Sequence, residues 1–219
     1  GTVKNIADFA FNKAAYSVTG TVGFHIYSSV RFIGEKAFEG FGSEETTIKT
    51  CKGMTIEIKG SIDFAATNAF YTAGQYTNGD VVFTVDGYIA AAQSFSFASI
   101  GLGSYGNVKV LVNGYINHAD TYAFYAIGNG ATTLSVNITI NGNIDSLGDY
   151  CFHLVAANIK GNTFIFVNGN IVTMNFGCFQ SLGTGSLGSI SIIINGYIGY
   201  LGPNSFIYLG KGTKTVHNE

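Results

Sequence analysis

The sequence predicts a repeat solenoid, mostly β, in which one short unit is stacked eight times. Three observations predict it: a recurring tripeptide, an unbroken phenylalanine column, and an apolar alternation of period two ahead of each tripeptide. IKG ends at Gly60, VDG at Gly87, VNG at Gly114, ING at Gly142, VNG at Gly169 and ING at Gly196, so the unit is 27 or 28 residues long. Ten residues beyond these glycines stand Phe70, Phe97, Phe124, Phe152, Phe179 and Phe206. Two residues beyond them stand Ile62, Ile89, Ile116, Ile144, Ile171 and Ile198. Self-similarity at such a period marks stacked supersecondary units.

The register continues towards the N-terminus. With Ser28 in the glycine place, Val30 and Phe38 fall into line; with Gly1 there, Val3, Ile6 and Phe11 do. Residues 1–219 therefore read as a single solenoid of eight units, one of which, from Ser28 to Gly60, has 32 residues. Its surplus lies around Ser43 to Gly53, carries Glu44, Glu45, Lys49 and Lys52, and reads as an exposed loop. The chain begins and stops mid-unit, which points to a piece of a longer array or to end-to-end association.

Each part of the unit has its own reason. Val22-Phe24-Ile26, Val81-Phe83-Val85, Val108-Val110-Val112 and Ile190-Ile192-Ile194 alternate with period two, as a strand with one buried face does. The glycine after it implies either a positive φ or a backbone too crowded for a Cβ. Ile6, Ile33, Leu147, Met174 and Leu201, five residues on, join small residues such as Ala37, Ala69, Cys151 and Cys178 and the phenylalanines as an inward set. A second glycine column, Gly42, Gly74, Gly101, Gly128, Gly183 and Gly210, precedes a polar return loop. No unit can bury its own stripe, but stacked neighbours build a continuous core. Each buried phenylalanine contributes about 2–3 kcal/mol from area alone.

Composition narrows the function. Charged residues make up 11% and hydrophobic ones 47%, with 30 glycines and one proline. Average domains carry about 25% charge and about 7% Gly. High hydrophobicity excludes disorder, and the missing proline excludes collagen. No run of apolar residues reaches the length of a membrane span in this segment. A net charge of −2 with a single arginine, Arg31, argues against nucleic acid, which needs clustered cations. No leader precedes Gly1, so any secretion signal has been removed or never existed.

Ser29-Val-Arg-Phe-Ile-Gly-Glu-Lys-Ala-Phe-Glu-Gly, Ile144-Asp-Ser-Leu-Gly-Asp-Tyr-Cys-Phe and Ile198-Gly-Tyr-Leu-Gly-Pro-Asn-Ser-Phe share the pattern I/V-x-x-I/L-G-x-x-A/C/S-F behind a strand. This resembles the BspA-like (Treponema pallidum type) leucine-rich repeats of bacterial surface proteins, across all eight units. The resemblance implies a leucine-rich-repeat-like horseshoe with one parallel sheet and short helical or irregular return segments. It also implies a secreted or cell-surface protein used for adhesion or protein contact, without catalytic residues. Three departures stand out: an apolar residue replaces the family's cysteine after the Phe, Asn or Asp replaces its proline after the strand, and the unit is about four residues longer. The longer return leaves room for another strand, so a parallel β-helix is the alternative.

The candidate binding residues are Tyr88, Leu111, Asn113, Tyr115, Phe164, Phe166, Asn168, Ile193 and Tyr197, all at outward positions of the strand-bearing side. Outward Phe164 and Phe166 break the polar alternation of a solvated sheet, and contiguous exposed aromatics mark interaction surfaces. Tyrosine is favoured there because it supplies contact area at low entropic cost, and on a regular lattice it also suits sugar rings. Asn113, Asn141, Asn168 and Asn195 form a column that reads either as a structural ladder serving backbone groups or as a polar stripe facing a ligand. Cys151 and Cys178 sit at equivalent positions of adjacent units, as reduced core thiols in place of alanine or, alternatively, as a disulfide; Cys51 is left over. His25, His118, His153 and His217 fall at four different unit positions, and no acid–base pair stacks beside a nucleophile. The expectation is a non-enzyme without metal or cofactor, binding a protein or glycan at a cell surface. Self-association as a structural module and a carbohydrate-active β-helix are the alternatives.

Overall fold

The computed structural model describes residues 1–44, 50–130, 132–212 and 215–218, the last stretch as strand backbone. Among the described residues sixteen strands follow the repeat, two to a unit. In chain order they are β1 (Thr2–Ile6), β2 (Gly20–Ile26), β3 (Ser29–Ile33), β4 (Cys51–Ile58), β5 (Ile62–Ala65), β6 (Asp80–Val85), β7 (Ile89–Ala92) and β8 (Val108–Val112). Then come β9 (Ile116–Ala119), β10 (Val136–Ile140), β11 (Ile144–Leu147), β12 (Thr163–Val167), β13 (Ile171–Met174), β14 (Ser189–Ile194), β15 (Ile198–Leu201) and β16 (Thr215–Asn218). Odd-numbered strands form one eight-stranded parallel sheet and even-numbered strands another. The mostly-β solenoid stands, with the cross-section of a parallel β-helix.

Two sheets take the place of the expected single one because the glycine that recurs after the alternating strand is a corner. It separates the alternating strand from the I-x-x-L segment, which pairs in its own ladder: Ile116 with Ile144, Ile144 with Ile171, Ile171 with Ile198. None of Gly60, Gly87, Gly114, Gly142, Gly169 and Gly196 has a positive φ. What requires glycine is crowding: a Cβ at Gly114 would lie 2.7 Å from the backbone carbon and oxygen of Gly87 in the rung below. A further column, Gly79, Gly106, Gly161 and Gly188, answers the same need at the start of the even-numbered strands, each against backbone of the preceding rung. The second glycine column does have positive φ throughout, 64° at Gly42 and 61° at Gly210.

The return segment is neither helical nor irregular. It is a third wall made of overlapping turns. Alternate amides close four-residue turns, as from Ala123 to the Asp120 carbonyl and from Tyr125 to Tyr122. The intervening amides donate to the next rung: Tyr122 to Asp149, Phe124 to Cys151 and Ala126 to His153, at 2.9–3.1 Å. This geometry requires left-handed φ at non-glycine residues in rung after rung, among them Phe95, Tyr122, Tyr150, Leu154 and Ser181. Such φ values cost of order 1–3 kcal/mol each and persist only where the surroundings over-determine them. Here turn bonds and rung-to-rung bonds surround these residues, most completely Tyr122, Leu154 and Ser181, so the strain has a structural explanation.

The interior is filled by the expected columns. Phe38, Phe70, Phe97, Phe124, Phe152 and Phe179 are buried and stack face to face with centroids 5.0–5.2 Å apart, and Phe11 and Phe206 extend the stack at its ends. Cys151 and Cys178 are buried free thiols among them, and Cys178 Sγ donates to the Gly148 carbonyl at 3.2 Å. Burial raises the pKa of both, that of Cys178 to about 12, so neither is a thiolate.

The exposed loop expected around Ser43 to Gly53 is corrected on its described flanks; Glu45 and Lys49 lie outside the described residues. Ser43, Glu44, Cys51 and Gly53 are buried, and only Lys52 is exposed. Glu44 turns inward because its carboxylate accepts from the Cys51 amide and, at 3.1 Å, from the Thr50 hydroxyl, which anchors the start of β4.

Candidate functional site

The nine residues singled out from the sequence do not share one surface. Leu111, Phe164, Phe166 and Ile193 do come together on the outer face of the even-numbered sheet. Phe166 is in register with Ile193 on one side and Thr139 on the other, and Thr139 with Leu111. The Phe164 and Phe166 rings lie 6.1 Å apart, and all four side chains are half-buried. Asn113 and Asn168 stand at the end of that sheet. Tyr88, Tyr115 and Tyr197 lie past the corner. The Tyr88 hydroxyl donates to Asp63 on β5 at 3.0 Å, and its ring stacks on Tyr115 at 4.9 Å, so this pair leans over the odd-numbered sheet.

The asparagine column forms a ladder of a different kind from the expected one. Its amides bond each other: Asn141 to Asn113, Asn113 to Asp86 and Asn195 to Asn168, at 2.8–3.0 Å. Lys59 and Glu57 continue this edge to His25 through Asp86. Backbone groups are served instead by the next column, where Asn143 accepts from Asn170 N–H and Asn170 from Tyr197 N–H. These polar rows lie at the surface, with bonds joining Asp86, Asn113 and Asn141 in one run and Asn168 and Asn195 in another.

The turn wall carries a surface that the sequence reading passed over. Phe95, Tyr122 and Tyr150 occupy one column eight residues past the corner glycine and stack with centroids 5.1 and 5.3 Å apart. Phe176 closes the row edge-on against Tyr150 at 5.3 Å. Tyr125 and His153 form a second row at 5.8 Å, each edge-on to the first. All six are half-buried. At one end, Phe95 and Tyr125 border a shallow depression of about 370 Å³ completed by Lys36, Glu39, Asn68 and Tyr71. The signal was present: Phe9, Phe95, Tyr122 and Tyr150 share a column, but without a three-walled cross-section nothing assigned that column an outward direction.

Burial also tunes this surface. It raises the Tyr122 pKa, with Tyr150, Tyr125 and Asp149 adding in the same direction. It lowers that of His153, partly offset by the Nδ1–H donated to the Gln180 carbonyl at 2.9 Å. The folded imidazole therefore titrates below the ordinary value of 6.5, and below that pH the unfolded chain binds more protons. His153 contributes stability that is present above pH 6.5 and lost as pH falls through its folded pKa. Denaturation midpoints measured at pH 7.5 and pH 5 should differ more for the native chain than for His153→Asn. An equal pH dependence in the two would contradict it.

Among the described residues no group of three or more His, Cys, Asp and Glu is placed to hold a metal ion, and no helix is long and apolar enough to cross a membrane. Fold and surface together define a two-sheet parallel β-solenoid with an aromatic turn wall. The chain matches no protein-family model, no curated protein and no solved structure.

Proposed function

We propose that this chain is a non-enzymatic binding scaffold that takes a protein partner on its turn wall, at a cell surface or after secretion. The observation that carries this is the orientation of the aromatic rows. Phe95, Tyr122 and Tyr150 turn their faces on one another, with interplanar angles of 14° and 8°. A sugar ring stacks on an aromatic face, and those faces are occupied; ring edges and hydroxyls are what the row offers outward. That is the chemistry of a protein interface, where tyrosine supplies rigid amphipathic contact area. The rings are already immobilised by stacking, so little side-chain entropy remains to be lost on binding. The depression beside Phe95 suits one anchoring side chain of the partner. The resemblance to BspA-like surface repeats supports the location.

Selection of displayed peptides on the intact protein, run beside a glycan array, tests this reading. Bound peptides should lose about tenfold or more in affinity for Tyr122→Ser/Tyr150→Ser, as interface tyrosines generally do. They should keep it for Phe164→Ser/Phe166→Ser. Binding of glycans alone, or peptides indifferent to the turn-wall change, would contradict it. The apolar patch of Leu111, Phe164, Phe166 and Ile193 favours a second reading, with the partner on the even-numbered sheet; the same two variants then give the opposite result.

A further inference from the structure

The outer face of the odd-numbered sheet belongs to neither partner surface proposed above. Across β1, β3 and β5, which are neighbours in that sheet, it holds a recess of about 430 Å³ lined by Lys4, Asn5, Arg31, Phe32 and Asp63. Shape alone does not set it apart from the recesses of the turn wall; its side chains do. Lys4, Arg31 and Asp63 share one column, between the paired Val3, Val30 and Ile62 and the paired Asn5, Phe32 and Phe64, so they follow one another at about 4.8 Å per rung. Lys4 and Arg31, the single arginine of the chain, are exposed. Neither is paired with a carboxylate among the described residues, whose ion pairs join His25, Glu57, Lys59 and Asp86. Asp63, half-buried, accepts the Tyr88 hydroxyl on Oδ1 at 3.0 Å, which leaves Oδ2 for a further donor. Phe32 stands beside this column, 36% exposed, with one face stacked on Phe64 at 5.4 Å and an interplanar angle of 6°. Its register neighbour on the other side is Asn5, so no ring covers the second face. Tyr122 on the turn wall, by contrast, has a ring against both faces.

These groups select a ligand by charge and by shape. Two cations against one carboxylate leave one positive charge in surplus, which a monoanion neutralises. A phosphate monoester, at about −1.5 to −2, exceeds it. A carboxylate also matches the guanidinium fork, taking two parallel N–H···O bonds from Arg31, while Lys4 adds a point charge beside it. The column order keeps Asp63 one rung beyond Arg31, on the side away from Lys4, so the anion and the Asp63 carboxylate do not share a place. The open face of Phe32 takes a ring, and Asp63 Oδ2 and the Asn5 amide take hydroxyl groups on it. A neutral sugar leaves both cations unanswered, and an aromatic acid leaves Asp63 and Asn5 so. We infer that this face binds a sugar acid, one hexuronate ring lying on Phe32 with its carboxylate on Arg31 and Lys4 and a hydroxyl donating to Asp63. The site uses no residue of the turn wall, so it stands or falls apart from the protein-binding surface.

Amide chemical-shift titration of the full chain with D-glucuronate and D-galacturonate tests it, with D-glucose, D-galactose, acetate and adenosine monophosphate as comparators. At least one uronate should shift the amides of Asn5, Phe32 and Phe64 and bind more tightly than every comparator. Its affinity should fall about tenfold in Arg31→Gln, the usual effect of losing a hydrogen bond between charged groups. It should also fall in Phe32→Thr, which keeps a strand-forming residue but removes the ring, and should be unchanged in Lys109→Gln, which removes an exposed cation from the even-numbered sheet. Should Arg31→Gln fail to fold, Lys4→Gln removes the other cation and should weaken the same uronate. No response to either uronate overturns the inference, as does a neutral sugar, acetate or the nucleotide binding as tightly. Affinity unchanged by loss of the cation or of the Phe32 ring, or lowered equally in Lys109→Gln, overturns it too.

Discussion

Replacing Phe124 by alanine should lower the stability of the chain by about 3–5 kcal/mol, the usual cost of emptying a buried aromatic site. Phe124 is buried at the middle of the stack, with Phe97 at 5.1 Å on one face and Phe152 at 5.0 Å on the other. The cavity cannot be closed by local collapse. Each neighbouring ring is fixed by its own next neighbour, and the Phe124 amide and the carbonyls around it hold the rungs at a set spacing. In a solenoid the loss falls on two interfaces at once, because stability is approximately a sum of unit and nearest-neighbour contributions. Phe206→Ala, at the end of the stack where the ring is only half-buried and has Phe179 on one side, should cost less than half as much. Urea denaturation of the two variants measures both. Equal losses would mean that the column is not a coupled spine.

Gly114→Ala should cost about 3 kcal/mol, near the upper end of ordinary overpacking, whereas Gly40→Ala should cost about 1 kcal/mol. A simple rule about glycine would rank them the other way, because Gly40 has a φ of 64° and Gly114 does not have a positive φ. Surroundings decide the order. At Gly114 the nearest atoms to an added methyl are the backbone carbon and oxygen of Gly87 at 2.7 Å and Tyr88 N at 2.9 Å, none of which can move without parting the rungs. At Gly40 the nearest atom is Lys13 Cγ at 3.3 Å, the middle of a flexible chain. Other rungs already place Lys13, Thr72, Ser99, Ala126, Leu154, Ser181 and Tyr208 at the equivalent position with positive φ. Paired denaturation curves check the order, and a larger loss for Gly40→Ala would contradict the crowding account.

These two cases also show what could be read from the sequence. The phenylalanine column, the strand alternation and the eight-fold repeat were legible because burial imposes one residue type at one position in every unit. The corner at Gly114 was legible only as an alternative between positive φ and crowding, because both demand the same residue. The turn wall was not legible. Apart from its glycines and Asn68, Asn158 and Asn204, its left-handed φ values fall on Phe, Tyr, Leu, Ser, Ala, Lys and Thr, residues that carry no signal for that conformation, since tertiary hydrogen bonds rather than local preference impose it. The candidate site suffered accordingly. Phe164 and Phe166 were found because they break a two-residue alternation, while Tyr122 and Tyr150 break no pattern and acquire a direction only when the third wall exists. Glu44 was misread for the same reason: charge at an insertion suggests solvent, and only the Cys51 amide shows why it turns inward.

The central claim is that this third wall is a hydrogen-bonded surface that holds the aromatic rows in place. Amide hydrogen exchange resolved by residue tests it most directly. The Phe97, Phe124, Phe152 and Phe179 amides each donate to the following rung, at 2.7–3.0 Å, and those of Tyr122 and Tyr150 do so on the outer row. The account predicts that these six amides are protected to a degree comparable with strand amides such as Val110 and Ile138 in the middle of the even-numbered sheet. Exchange of the six at the rates of an open return loop, with the strands protected, would contradict it.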